Sequence, residues 1–149
     1  MAPTVRPALI PSVCASDSKH FVRRVYVFGL KKPDNMSMRT YLYKIHGITS
    51  IGILFSHHIA FGITEMIVRV NHVWKLTNAF NMTRQIHLKG FDPLNPNEPQ
   101  HFLLSHEQLS AFPDLYMASV KATFGNPQCV GGALESYASD YAREIGVFI

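Results

Sequence analysis

The amino-acid sequence predicts a mainly α-helical protein: one long helix crosses a membrane once, between an extended N-terminal arm and a loop-rich tail of short helices. Three observations carry that expectation. Twenty consecutive residues, Ile45 to Thr64, carry no formal charge (IHGITSIGILFSHHIAFGIT). As a helix they rise about 30 Å, the thickness of a bilayer core. No proline occurs between Pro33 and Pro93 in a chain with nine of them, and helix interiors exclude proline. Tyr41 and Tyr43 precede the run and Trp74 follows it, the aromatic placement that a membrane interface favours.

The elements follow in order. Residues 1–36 read as an extended basic arm, within which His20–Leu30 (HFVRRVYVFGL) is rich in Val, Tyr and Phe and suits a short strand or an extended segment. Lys31 to Asn35 reads as a turn, and Ser37 is placed to cap a helix. That helix is expected over residues 37–78, with the span at about 45–70. Met66, Ile67, Val68 and Val70 prolong the apolar character, and Glu65 can pair with Arg69 four residues on. Residues 79–104 form a loop and proline-rich linker. Residues 105–149 form short docking helices. One starts at Ser105, with Gln108 at capping-box spacing, is kinked or restarted at Pro113 and stops at Gly125. The other places Leu134, Tyr137, Tyr141 and Ile145 on one face and ends at Gly146.

The polar residues of the span are patterned. Gly52, Ser56, Ala60 and Thr64 recur every four residues, a stripe of small side chains that lets another helix approach closely. His57 and His58 are candidate haem ligands, one of them pairing with a histidine of another subunit, because adjacent helical residues point about 100° apart. His58, Glu65 and His72 repeat every seven residues and can form a polar seam. Histidines hydrogen-bonded to neighbours account for the same residues without a cofactor.

Composition agrees with a surface that meets lipid or protein. Only 16% of the residues are charged while 47% are hydrophobic; soluble domains carry about 25% charged residues. Residues 1–44 hold eight basic side chains against Asp17 and Asp34, net +6, whereas residues 66–149 hold six basic and seven acidic ones. That asymmetry sets orientation or docks on an acidic partner. Basic residues are paired only at Arg23-Arg24 and Lys31-Lys32, too few for the basic, aromatic-interleaved face of a nucleic-acid binder. Cys14 and Cys129 stand far apart without metal-ligand spacing and are read as reduced thiols. Pro3, Pro7 and Pro11 break any signal-peptide helix, although the acid-free start has some character of an organelle-targeting segment. Asn35-Met36-Ser37 and Asn81-Met82-Thr83 match the glycosylation pattern by chance.

No P-loop, GxGxxG, HExxH or GxSxG occurs. Ser105-His106-Glu107 sets three catalytic residue types side by side, but neighbours on a helix point apart, so a helix start explains them better.

In its basic, acid-poor arm Met1–Lys44, its single central span and its loop-rich tail, the chain resembles small single-span accessory subunits of mitochondrial energy-transducing complexes. The resemblance implies a non-catalytic subunit of a respiratory-chain or ATP synthase type complex in the mitochondrial inner membrane. It would stabilise assembly by helix packing, with no cofactor, with other subunits and lipid as partners, and without nucleic acid. The positive-inside bias places the N-terminal half on the matrix side. Two alternatives stay open: a haem-binding electron-transfer anchor using His57 or His58, and a soluble all-α subunit of a large assembly such as a mitochondrial ribosome.

Overall fold

From Ile53 onward the charge-free run folds as a strand, a turn and the start of a second strand, not as a long helix. A computed structural model of the chain describes residues 14–49, 52–83, 86–96, 103–125 and 134–147. Within these, β1 (Val22–Phe28), β2 (Ile53–Ala60), β3 (Ile63–Arg69) and β4 (Ile86–His87) form an antiparallel sheet in the order β2-β3-β1-β4. Five α-helices accompany it: α1 (Ala15–Lys19), α2 (Met38–His46), α3 (Val73–Asn81), α4 (His106–Phe124) and α5 (Glu135–Glu144). No helix among the described residues is long and apolar enough to cross a membrane. This overturns the single-span architecture and the membrane role given to the run.

The physical reason lies in features that a hydropathy count ignores. The run is rich in Ile and Phe, residues that lose rotamer freedom in a helix and pack well on a pleated surface. Phe61 and Gly62 both take positive φ, 54° and 83°, which makes a tight two-residue hairpin turn between Ala60 and Ile63. Missing prolines fit a central strand as well as a helix, because proline cannot complete a sheet ladder. The strands lack a clean apolar–polar alternation because both faces of the sheet are covered.

The succession β1-α2-β2-β3-α3-β4, with β3 beside β1, is the split βαβ, or ferredoxin-like, arrangement. Its two crossovers lay α2 and α3 on one face. There Tyr41, Leu42, Leu76 and Phe80 pack on Val25, Val27, Met66 and Val68. The helices after β4 cover the other face: Leu109, Phe112, Tyr116 and Val120 of α4 and Tyr137 and Tyr141 of α5 pack on Val22, Tyr26, Ile63 and Ile67.

Local signals set the helix ends. Ser37 caps α2, its hydroxyl accepting from the Thr40 N–H at 3.1 Å. Gly47 stops that helix in the left-handed conformation, φ 68°, at a residue where the sequence expectation has the helix continuing. Ser105 and Gln108 form the capping box of α4, which continues through Pro113 without restarting. The first thirteen residues, Cys129, and linker residues 97–102 lie outside the described residues.

Gly52 owes its small size to the fold rather than to a helix stripe. A Cβ there would stand 2.4 Å from the Cβ of His72, at the end of the 3-10 turn Val70–His72. Gly52→Ala is therefore expected to cost about 1–3 kcal/mol through overpacking. Urea unfolding measures this, and a variant as stable as the parent would show that the His72 segment moves aside freely.

Candidate functional site

The sheet face beneath α4 and α5 carries charge where an apolar core is expected. Arg24 and Tyr26 project from β1 and Glu65 from β3, while His57 lies opposite Glu65 across the β2–β3 pair. Asp17 comes from α1, Tyr116 and Ser119 from α4, and Tyr137 and Tyr141 from α5. Asp17 and Glu65 are completely buried, and Arg24 nearly so.

The hydrogen bonds form one chain whose proton positions follow from chemistry. The Glu65 carboxylate only accepts. Its Oε1 takes the His57 Nε2–H at 2.7 Å, and its Oε2 takes the Tyr26 and Tyr116 hydroxyls, each at 2.6 Å. Tyr116 has spent its proton on Glu65, so Tyr141 donates across the 2.6 Å contact between them. Arg24 donates through Nη1 to Tyr26 and Tyr141 and through Nε to Asp17 at 3.1 Å. Tyr137 donates to the other Asp17 oxygen at 2.7 Å. The free ring nitrogen of His57, Nδ1, meets Ser119 Oγ at 3.0 Å.

Burial by itself raises the pKa of Glu65, but the hydrogen bond and charge of His57, with Arg24 and Tyr116, outweigh it and hold the carboxyl below 4.5. Burial also works against the Arg24 guanidinium, and Tyr26, Tyr141, Tyr116 and Asp17 more than offset that. Burial pushes the Tyr26 and Tyr116 hydroxyls well up, so they remain protonated donors. Every charge in the cluster has a hydrogen-bonded partner, which is the condition for burying it at tolerable cost.

Ser119, His57 and Glu65 stand in the order nucleophile, base, orienting acid. Acyl transfer also needs free donors for the developing oxyanion. Ser119 sits inside α4, where its backbone N–H is spent on the helix. The relay positions a proton on His57, and α4 supplies no oxyanion hole at Ser119.

The sequence-predicted residues are dispersed. Successive strand residues face opposite ways, so His57 points into the cluster and His58 is exposed on β2. Both ring nitrogens of His57 are engaged, and among the described residues no group of three or more His, Cys, Asp or Glu is placed to hold a metal. The seam dissolves likewise: Glu65 is buried while His72 bonds Asn71 at 3.1 Å. Glu65 pairs with His57 and not with Arg69. Gly52 is the turn residue just before β2, Ser56 and Ala60 lie in that strand, and Thr64 sits across the hairpin opposite His58. Tyr41 is buried, its hydroxyl accepting from the Lys31 N–H at 2.9 Å. Tyr43 and Trp74 are exposed, at 66% and 76%. Burial raises the Cys14 thiol to about 11, which makes it a poor nucleophile.

A second feature lies on the α2/α3 side. There α3, β4 and the start of β1 border an open groove of about 550 Å³, lined by Trp74, Asn78, Asn81, Arg23, His87 and Lys89 among others. Beside it Phe21 stands 73% exposed, with φ of 57° and its carbonyl accepting from the Val70 N–H at 3.0 Å. The left-handed region is costly for a residue with a side chain.

Compared with known protein families, curated proteins and solved structures, the chain has no match.

Proposed function

We propose that the chain is a non-catalytic subunit of a larger assembly, attached through the surface around Phe21, Val70 and Trp74. The carrying observation is Phe21: a large aromatic ring held in water by a strained backbone. The Phe21 backbone serves the fold, bonded to Ser18 and Val70, but its exposed ring adds nothing to the core, whereas a partner that covers the ring makes use of it. The buried cluster supports the same reading from the other side. Its groups are satisfied by one another, and it acts as a rigid polar core that fixes how α4 and α5 sit on the sheet.

The location proposed with this role is mitochondrial, on the basis of the acid-poor N-terminal arm. Fractionation that finds the chain in the cytosol removes that part alone.

The test of the role is the size of the native complex. The tagged chain in a native extract is expected to elute from a sizing column far above a monomer. Phe21→Gly with Trp74→Ala should return it to the monomer position. Glycine tolerates the left-handed backbone, so stability should stay within about 1 kcal/mol of the parent. A parent chain that elutes as a monomer sinks the reading. So does covalent labelling of Ser119 by a fluorophosphonate, which would reveal an activated nucleophile.

A further inference from the structure

We infer that the groove between α3, β4 and the start of β1 receives an extended acidic peptide segment that also carries apolar side chains. The inference rests on the assembly reading and names the chemistry of the partner.

The groove is one-sided in charge. Arg23 enters from β1, Lys89 follows β4, and His87 lies between them in β4, while no carboxylate lines it among the described residues. Neither Arg23 nor Lys89 makes an ion pair among the described residues; Arg23 Nη1 bonds only the Val22 carbonyl, at 2.8 Å. Lys19 and Arg24, by contrast, are matched with Asp140 and Asp17. Charge of one sign left unmatched along a concave wall concentrates field and attracts the opposite sign. His87 registers that field: burial first, and then the Lys89 charge, hold its ring below the ordinary histidine value.

The opposite wall has the other half of what a peptide needs. Trp74, Asn78 and Asn81 stand at positions i, i+4 and i+7 of α3, on one helical face. The two amides can each donate and accept, which suits main-chain groups of an extended segment. Trp74, with Val70 and Phe21 beyond it, offers apolar surface to alternate side chains. β4 pairs with only Val27 and Phe28 of β1. The groove therefore begins where the short edge strand ends, beside β1 residues that a longer β4 would have covered. Single-stranded nucleic acid shares the need for cations and an aromatic platform. It stacks on several aromatics in succession, whereas the lining places Trp74 and the His87 ring on opposite walls, and the apolar neighbours Val70 and Phe21 suit side chains better than phosphates.

Trp74 is the only tryptophan in the chain, so intrinsic fluorescence reports the groove directly. The probe is an eight-residue peptide of alternating glutamate and leucine, capped at both ends, titrated into the full chain at 50 and 300 mM salt. The parallel arm uses an eight-nucleotide oligothymidylate. Expected are a blue shift of the Trp74 emission with the peptide, at least ten-fold weaker binding at the higher salt, and a rise in the His87 pKa by NMR. Lys89→Glu alone, on an exposed position, should weaken the peptide at least three-fold. Arg23→Glu with Lys89→Glu should lose it and instead bind the lysine–leucine counterpart. No emission change up to millimolar peptide overturns the inference. Tighter binding of the oligonucleotide overturns it too, and so does equal binding of the glutamate peptide by the charge-reversed chain. If Phe21→Gly with Trp74→Ala still dissociates the native assembly while the peptide fails to bind, the assembly reading stands and the acidic partner falls.

Discussion

Replacing Arg24 with methionine is expected to destabilise the fold by about 3–5 kcal/mol, the cost of leaving a buried charge without its partner. Methionine has similar length and packs readily, so the loss isolates the charge. Asp17, completely buried, would keep only the Tyr137 hydroxyl, and Tyr26 and Tyr141 would lose the donor shared between them. Against a total stability of about 5–15 kcal/mol for a domain, the melting temperature should fall by about 10 °C or more. The double variant Arg24→Met with Asp17→Leu removes both charges and should recover at least half of the loss, because neither partner is then stranded. Thermal and urea unfolding of the three chains measure it. A single variant within 1 kcal/mol of the parent would mean that water reaches Asp17 and that the cluster is not dry.

How far the sequence exposes this fold depends on which physical rule each segment obeys. Ser37, Ser105 with Gln108, and Gly125 mark helix ends by local hydrogen bonding, and they do so in the structure. The Tyr137/Tyr141 face of α5 is buried, with Leu134 just before it, as its spacing implies. The segment 45–70 misleads because hydropathy is indifferent to backbone geometry. Its turn is Phe61-Gly62 rather than the Asn-Gly or Asp-Gly that signals a hairpin. Helices on both sheet faces remove the alternation that would have marked strands. Gly47 and Gly52, treated as residues of a long helix, are a helix stop and a close approach to His72.

The site was legible only in fragments. His57 and Glu65 attract notice as polar residues in an apolar run, but their pairing depends on the hairpin register, eight residues apart. Arg24 offers a signal that strand logic could have used: a charge on the same face as Tyr26 within a Val- and Tyr-rich segment, which implies a buried partner. Asp17, Tyr116 and Tyr141 reach the cluster from three different helices, at separations of up to 117 residues from Arg24. No local pattern encodes such a meeting. The chain thus places three of its charges, Asp17, Arg24 and Glu65, in the core, and a sheet covered on both faces accounts for much of its apolar composition.

Replacing Glu65 with glutamine is expected to lower stability at pH 7 by about 3 kcal/mol and to remove part of the acid limb of the stability profile. Glutamine keeps the size of the side chain. It turns charge-assisted bonds from His57, Tyr26 and Tyr116 into neutral ones, and each bond to an ionised group is worth about 1.5–3 kcal/mol against about 1 for a neutral one. The sign of the pH effect follows from the direction of the shift. In the fold the Glu65 carboxyl is held below its ordinary 4.5 by His57, Arg24 and Tyr116. Its contribution is therefore fully present above about pH 4.5 and is lost as the pH falls through the folded value. In Glu65→Gln there is nothing to protonate. The gap between parent and variant should be widest near pH 7 and close as the parent is acidified. Asp140, held down to about 2 by His20 and Lys19, and Glu144, held below its ordinary value where the Ser16 and Ala15 bonds outweigh its burial, titrate in both chains. They leave a shared residual slope that cancels in the difference. Urea unfolding at half-unit steps from pH 7 to pH 2 measures the gap. A constant gap across that range would mean that Glu65 has the same pKa folded and unfolded, and a gap that widens as the pH falls would mean that burial wins and the carboxyl is protonated in the fold.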